Sequence, residues 1–561
     1  MTTQHEALEI PEILRRISTY LPGPDFTSCL QTCHSFHTIL TPLLYNQLTL
    51  VQKEEKRPTL EALARYAHLV GALKFEHFMS AEYLNVGFKG LYSIHIVHMI
   101  RSREFQVGTD EEIMDALLRI IRENPALRKW TLHNPWPRLS SKVWKELSSL
   151  KKNPTQGGSD QRQQLAVQSR GCDVLDLTSI TVTHDAKHWF LRACADAREL
   201  RILDVSFMVA GGNPDNCQLF LQLDKRPPQG RRVEIVEFHG YDVIHQLTFL
   251  SHLVEARHIS WTSPAAGRMP IQTRPLPTLE DLKQFIKPTT WPKLRSLDLT
   301  GIPGRQLVRF SDECISHILG CLPDSQLEEF KLQGSTFGPL SAAELKRQLS
   351  CLQDLRLEPA GIQEQSALIQ EVMESCPKLK VLRAGMISVG HMRRGKPWVC
   401  HGLKELAVQI DLESDRDGAV VDKEVDYDTV YFEKHAASRR YVFERLSKLT
   451  ELVELDTSLP YYGHGDLTYY LLSNRYQSPY WTLEYQIPYG LDQLASLKKL
   501  EKLKWSNNHQ RIYKEDLAWM ADNLPSLKTI CAEFDRNATK HKEMAAFLLE
   551  KGITVGAHRY R

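Results

Sequence analysis

Residues 327–408 read LEEFKLQGSTFGPLSAAELKRQLSCLQDLRLEPAGIQEQSALIQEVMESCPKLKVLRAGMISVGHMRRGKPWVCHGLKELAV. One six-residue signature, apolar-x-x-apolar-x-apolar, occurs in it four times: LEEFKL from Leu327, LQDLRL from Leu352, LKVLRA from Leu379 and LKELAV from Leu403. The spacings are 25, 27 and 24 residues. The last three positions alternate as a half-buried strand does. Between the signatures the apolar residues change to helical spacing: Leu368, Ile369, Val372 and Met373 ahead of Leu379, and Cys314, Ile315, Ile318, Leu319 and Leu322 ahead of Leu327. One strand and one helix cannot cover their own apolar face, so such units must stack on their neighbours. Each leucine buried that way contributes about 1.5–3 kcal/mol.

The same signature extends in both directions. Strong copies begin at Leu200, Leu294, Leu452, Leu500 and Leu527, and weaker ones at Val70, Leu91, Leu127, Cys172, Val233 and Ala256. WTLEYQI at 481–487 alternates like a further strand, and GITV at 552–555 reads as the closing one. Pro in SCPKL (375–379), ENPAL (123–127) and NLPSL (523–527) ends a helix just before the next strand. The clearest spacings lie within the roughly 20–29 residues of leucine-rich repeats. Longer ones, up to 49 between Leu403 and Leu452, imply insertions. The predicted architecture for 51–561 is therefore an α/β leucine-rich-repeat solenoid, a horseshoe with a parallel sheet inside and helices on the convex side.

Residues 8–50, LEIPEILRRISTYLPGPDFTSCLQTCHSFHTILTPLLYNQLTL, follow another rule. Pro11 suits the first turn of a helix. Ile10, Ile13, Leu14, Ile17 and Leu21 then form one apolar stripe. Pro22-Gly23-Pro24 stops that helix, and Asp25 is the expected N-cap of a second. In the second, Phe26, Cys29, Leu30, Cys33, Phe36, His37 and Leu40 recur three and four apart. Pro42 is expected to break it, with Leu43, Leu44 and Tyr45 starting a short third helix. So small an all-α head buries little by itself. It is expected to pack on the first repeats or on a partner.

The order I-P-E-I-L…I-x-x-Y-L…D-F…C-L-x-x-C…F…L-L-Y resembles an F-box. The whole chain resembles the fungal F-box proteins with leucine-rich repeats: the head covers under a tenth of it, the repeats nearly all the rest. Pro11, Glu12, Ile13, Leu14, Ile17, Leu21, Asp25, Phe26, Cys33 and Leu44 fall on family positions, and Phe36 and Tyr45 stand where the family usually has Trp. The resemblance implies that residues 1–50 bind a Skp-type adaptor, and through it a cullin, with Ile10 to Leu14, Ile17, Leu21, Asp25, Phe26, Cys33, Phe36, Leu44 and Tyr45 in the contact. It also implies that the repeats hold an unknown protein substrate for a ubiquitin-conjugating enzyme. Such a receptor contributes proximity rather than chemistry, so neither catalysis nor a cofactor is expected of it. Other readings stay open. The head can be only the cap that a solenoid end needs. The chain can be a protein-interaction scaffold with no ligase link, or an enzyme whose site is assembled across repeats.

The totals agree with a soluble globular chain. Of 561 residues, 42% are hydrophobic and 25% charged. The formal net charge of +2 gives no basic excess for nucleic acid or an anionic membrane. No apolar run reaches the roughly eighteen residues that span a bilayer. Eleven cysteines without framework spacing point to a reducing compartment, and the expected location is cytoplasmic and/or nuclear.

Residues 459–490 hold eight of the 19 tyrosines and Trp481. Tyr and Trp give large contact area at low entropic cost. Tyr461, Tyr462, Tyr469, Tyr470 and Trp481 are therefore the candidate substrate-binding residues; the other reading packs them against the sheet. Cys29, Cys33, His34 and His37 lack a zinc-knuckle spacing and are expected to be core thiols and helix-face imidazoles. Glu413, Asp415, Asp417, Gly418 and Glu424 imitate a calcium loop, but Asp is missing from the first position and a strand precedes it. RRGK at 393–396 and RRY at 439–441 read as solvated surface. Phosphate-loop, G-x-S-x-G and H-E-x-x-H motifs do not occur.

Overall fold

Each signature named above carries a strand. The computed structural model describes residues 14, 16–17, 20, 23–51, 53, 57–76, 79–97, 106–107, 109–133, 139–150, 172–197, 199–207, 232–235, 238–239, 247, 250–251, 254, 256–261, 277–300, 310–358, 365–412, 427–458, 483–505, 512–532, 534 and 538–556. The chain divides into two units, Met1–Ile259 and Ser260–Arg561.

In the first unit, Gln47–Val51, Ala72–Glu76, Ser93–Val97, Lys129–His133, Val174–Val182, Glu199–Phe207 and Arg232–Ile235 pair in chain order, all parallel. In the second, Ser296–Leu299, Glu329–Gln333, Asp354–Glu358, Val381–Ser388, Glu405–Asp411, Glu454–Asp456, Lys502–Lys504, Thr529–Cys531 and Thr554–Val555 do the same. A doubly wound sheet would reverse its order part-way. Pairing in chain order instead makes each unit an α/β stack of leucine-rich repeats.

The signature explains the packing. Leu327, Phe330 and Leu332 are buried, as are Leu352, Leu355 and Leu357 one repeat later. The residues between them, such as Glu329 and Lys331, are half-exposed on the other face of the sheet. The entry turn recurs as well. The first apolar residue donates its N–H to the carbonyl three back: Leu127 to Asn124 at 3.0 Å, Leu294 to Trp291 at 3.3 Å, Leu379 to Cys376 at 3.3 Å, Leu527 to Leu524 at 3.0 Å. In all four turns Pro follows the acceptor, where its fixed φ suits the second position of a turn. Buried amides hold two further entry turns, those before Leu91 and Leu327. Asn124 accepts from the Leu91 N–H at 2.8 Å and donates to the Phe88 and Ile120 carbonyls, both at 2.8 Å. Gln348 accepts from the N–H groups of Gln326 and Leu327, each at 3.0 Å, and donates to the Pro323 carbonyl at 2.8 Å.

Four expectations change. WTLEYQI is not a strand over its described part, 483–487. Glu454–Asp456 pairs directly with Lys502–Lys504, which leaves no slot between them. Pro42 does not break its helix, which runs His34–Asn46. Only the Thr38 carbonyl loses a donor there, close to the helix end, and burial of Leu40 and Thr41 within that turn holds the helix in place. Asp25 is not an N-cap, because the helix begins at Gly23 and places Asp25 in its first turn. Finally, Gln47–Val51, in the segment read as head, joins the sheet beside Ala72–Glu76.

One carboxylate ties two repeats together. The helix Pro339–Leu345 has no side-chain cap of its own. Asp312, from the preceding repeat, accepts from the N–H groups of Gly338 (2.8 Å), Leu340 (3.0 Å) and Ser341 (3.0 Å) and from the Ser341 hydroxyl (2.5 Å). Burial acts to raise the Asp312 pKa, but these donors outweigh it and the net shift is downward. A depressed folded-state pKa means stabilisation that is present above the unfolded value of about 3.9 and lost as pH falls through the folded one. Asp312→Ala is expected to cost about 1–2 kcal/mol at pH 7. The difference from the parent should shrink below about pH 4, as read from urea midpoints at pH 7 and pH 3.

Candidate functional site

The head divides into buried and exposed apolar side chains. Leu14 is 3% exposed and Leu40 2%, whereas Ile17 is 40%, Leu44 40% and Tyr20 80% exposed. Asp25 is exposed in the first turn of Gly23–Leu30, where its charge suits the helix dipole. Cys33 is not a core thiol but the exposed N-cap of His34–Asn46, with Sγ accepting from the Phe36 N–H at 3.5 Å. Cys29 and Phe36 are half-buried. Tyr45 stacks on Tyr66 with ring centroids 4.6 Å apart, which joins the helix to the segment leading into the second strand. Burial, and then the Tyr66 phenol, raise the Tyr45 pKa. Ile10, Pro11, Glu12, Ile13 and Leu21 lie outside the described residues, as does the side chain of Phe26.

The open sheet face of the second unit carries charges in register. Glu329, Asp354, Glu405 and Glu454 occupy one row, with Val381 between Asp354 and Glu405. Lys331, Arg356 and Arg383 occupy the next, followed by Ala407, Asp456 and Lys504. Lys331 bridges Glu329 at 3.4 Å and Asp354 at 3.5 Å, Arg356 pairs with Asp354 at 2.9 Å, and Arg383 pairs with Glu405. Lys504 pairs with Glu454 and lies 3.5 Å from Asp456. Burial opposes both charges of the Lys504–Glu454 pair. Their mutual contact still wins, holding Glu454 below the ordinary carboxylate value and Lys504 above the ordinary amine value. The face is therefore polar and mutually neutralised. These residues stand two and four places after the leading leucine, and aligning the repeats by that leucine is the signal that finds them.

Tyr461, Tyr462, Tyr469, Tyr470 and Trp481 lie outside the described residues, as does the calcium-like loop from Glu413 to Glu424. Two tyrosines of the same stretch are described, one buried and one half-buried. Tyr485 is fully buried, stacks on Trp505 at 5.0 Å, and meets Phe443 edge-on at 5.7 Å. Its hydroxyl is 2.9 Å from that of Thr457, and burial pushes its pKa well up. Tyr489 lies under the Arg439 guanidinium, 4.6 Å from ring centroid to Cζ. RRY at 439–441 is thus not simply solvated surface. Arg439 is fully buried, 3.4 Å from Glu484, which is equally buried. The long helix Tyr427–Ser447 turns that arginine toward the segment before Ile487–Tyr489.

All ten described cysteines are free, six of them buried. Burial raises the thiol pKa of Cys376 and of Cys400 to about 12, so both are unreactive at neutral pH. Among the described residues no three His, Cys, Asp or Glu groups are placed to hold a metal ion, and no helix is long and apolar enough to cross a membrane.

No protein-family model and no curated protein matches this chain. Solved structures similar to it include a Toll–Spatzle complex from Drosophila, at 14% identity and a TM-score of 0.38, over 89% of this chain and 57% of that one. The chain thus spans little more than half of that protein's length. An internalin (inlF) from Listeria monocytogenes matches at 11% identity and a TM-score of 0.35, over 82% of this chain and 92% of that one. A mouse RP105/MD-1 complex matches at 12% identity and 0.34, over 89% and 83%. These similarities are too low to transfer any property.

Proposed function

We propose that the chain is a substrate receptor of a Skp–cullin–F-box ubiquitin ligase, with the head docking a Skp-type adaptor and the repeats holding a protein substrate. The observation that carries this reading is the split in the head: Leu14 and Leu40 are buried, while Ile17, Tyr20 and Leu44 stand exposed. A cap serving only to close the stack would turn its large apolar side chains inward, because its role is to present a polar outer face. Exposed apolar residues on family-like positions instead support a docking surface. Ubiquitin transfer would then proceed on a substrate held near the conjugating enzyme, with effective concentration as the receptor's contribution.

Substitution tests this better than truncation, since removing residues 1–50 also removes most of the strand Gln47–Val51. Ile17→Asp with Leu44→Asp, both at exposed positions, should change stability by no more than about 0.5 kcal/mol each. Capture of a Skp-type adaptor by the full chain should fall at least tenfold. Failure of the unsubstituted chain to capture the adaptor removes the ligase reading and leaves a protein-interaction scaffold.

A further inference from the structure

The sheet face of the first unit that bears His95 and Asp176 carries hydrogen-bonding capacity that no described residue uses. His95, His133, Asp176 and Thr178 come from three successive strands and face the same side. Thr131 lies between His95 and Asp176 in register, and His133 lies beside Thr178. The two imidazoles meet edge to face with centroids 5.4 Å apart. Nε2 of His133 is 3.4 Å from Oδ1 of Asp176, without hydrogen-bond alignment. Both imidazole Nε2 atoms, Asp176 Oδ1 and Thr178 Oγ1 are shielded from solvent and have no hydrogen-bond partner among the described residues. Each such atom has given up its water without gaining a partner, which destabilises the fold. Folded proteins leave few of them, and here four gather across a patch of about 10 Å, two strand spacings.

The chemistry narrows the ligand. Two of the cations beside the patch are paired, Lys74 at 3.5 Å from Glu76 and Arg201 at 3.9 Å from Asp176, and Lys129 also acts on His95. Burial first, then His133 and Lys74, hold His95 below the ordinary imidazole value, so it is neutral at pH 7. A neutral imidazole Nε2 donates or accepts according to tautomer, a carboxylate oxygen accepts, and a hydroxyl does both. A metal ion does not fit, since no three ligating groups here are placed to hold one. The matching ligand is neutral and offers a carbonyl and an N–H side by side.

We propose that His95, His133, Asp176 and Thr178 form an amide-binding subsite for a carboxamide side chain or a backbone peptide group of a bound chain. The ligand carbonyl accepts from an imidazole Nε2–H, and its N–H donates to Asp176 Oδ1 and Thr178 Oγ1. This rests on the repeats being a protein-binding surface and names the chemistry that one part of that surface reads. A site built to hydrogen-bond its ligand rejects analogues that leave its polar atoms unpaired.

The test uses the full chain with ¹³C-labelled histidine and three probes: acetyl-Gly-Gln-Gly-amide, acetyl-Gly-Ala-Gly-amide and acetate. The glutamine peptide should shift both imidazole Cε1 signals saturably. Thr178→Val and His133→Phe should each weaken it at least tenfold while thermal unfolding is unchanged or raised, which a merely structural role for these side chains would not allow. An equal response to the alanine peptide assigns the subsite to a backbone peptide group, and a response to glutamine alone assigns it to a carboxamide side chain. Silence of both imidazoles, or acetate binding as well as the peptides, overturns the proposal. Adaptor capture through Ile17 and Leu44 involves none of these residues, so failure of one reading leaves the other standing.

Discussion

Replacing Glu484 with alanine should cost the second unit about 3–5 kcal/mol, read from urea unfolding of the full chain. Arg439 and Glu484 are both fully buried and their charged ends are 3.4 Å apart. Removing ions from water costs several kcal/mol each, and the oppositely charged partner offsets much of it. An arginine deprived of that carboxylate cannot escape by losing its proton, because a guanidinium is not deprotonated in proteins. Its position over the Tyr489 ring, at 4.6 Å, offsets only part of that cost. Replacing both members, Arg439→Met with Glu484→Leu, should recover most of the loss, since apolar residues of similar volume often substitute well for a buried pair. A loss under about 1 kcal/mol for the single change would mean that the pair is not the anchor of this helix.

Phe330→Ala should cost a comparable amount, about 3–5 kcal/mol. Phe330 is the fourth residue of LEEFKL and is fully buried. It lies between Leu297 and Leu355 in the sheet register, with Phe337 at 6.3 Å. Deleting its ring removes apolar contact and leaves a cavity that neighbouring repeats are too well packed to fill. Lys331→Ala, one residue on, removes a partly exposed ammonium that bridges Glu329 and Asp354 and should cost no more than about 1 kcal/mol. The contrast is the measurement: equal losses at 330 and 331 would contradict the alternation on which every strand assignment here rests.

These two sites differ in how they could be read. Phe330 is legible because a strand alternates with period two and the repeat fixes which residues lead. Arg439 looked like surface because an arginine beside another arginine and a tyrosine usually is. Its partner lies 45 residues on in sequence, and nothing local announces it. Pro42 failed as a breaker for a related reason: propensity forecasts a break, but burial of Leu40 and Thr41 stabilises the helix through it. In the head, the apolar stripe was visible, but which members face solvent was not. That Leu14 turns inward and Ile17 outward depends on what packs against them.

By itself the sequence determined the strands of the repeated signature, the inward leucines, the proline-led turns and the helices between them. All of these follow from local geometry: side-chain periods of two and 3.6 residues, and the fixed φ of proline. Only the tertiary structure decided that Gln47–Val51 joins the sheet, that Asp312 caps the helix of the next repeat, and that Arg439 is buried against Glu484. It alone brought His95, His133, Asp176 and Thr178 onto one patch. Those contacts join residues far apart in the chain, and their meeting depends on strand register and on the length of each insertion, which periodicity does not encode.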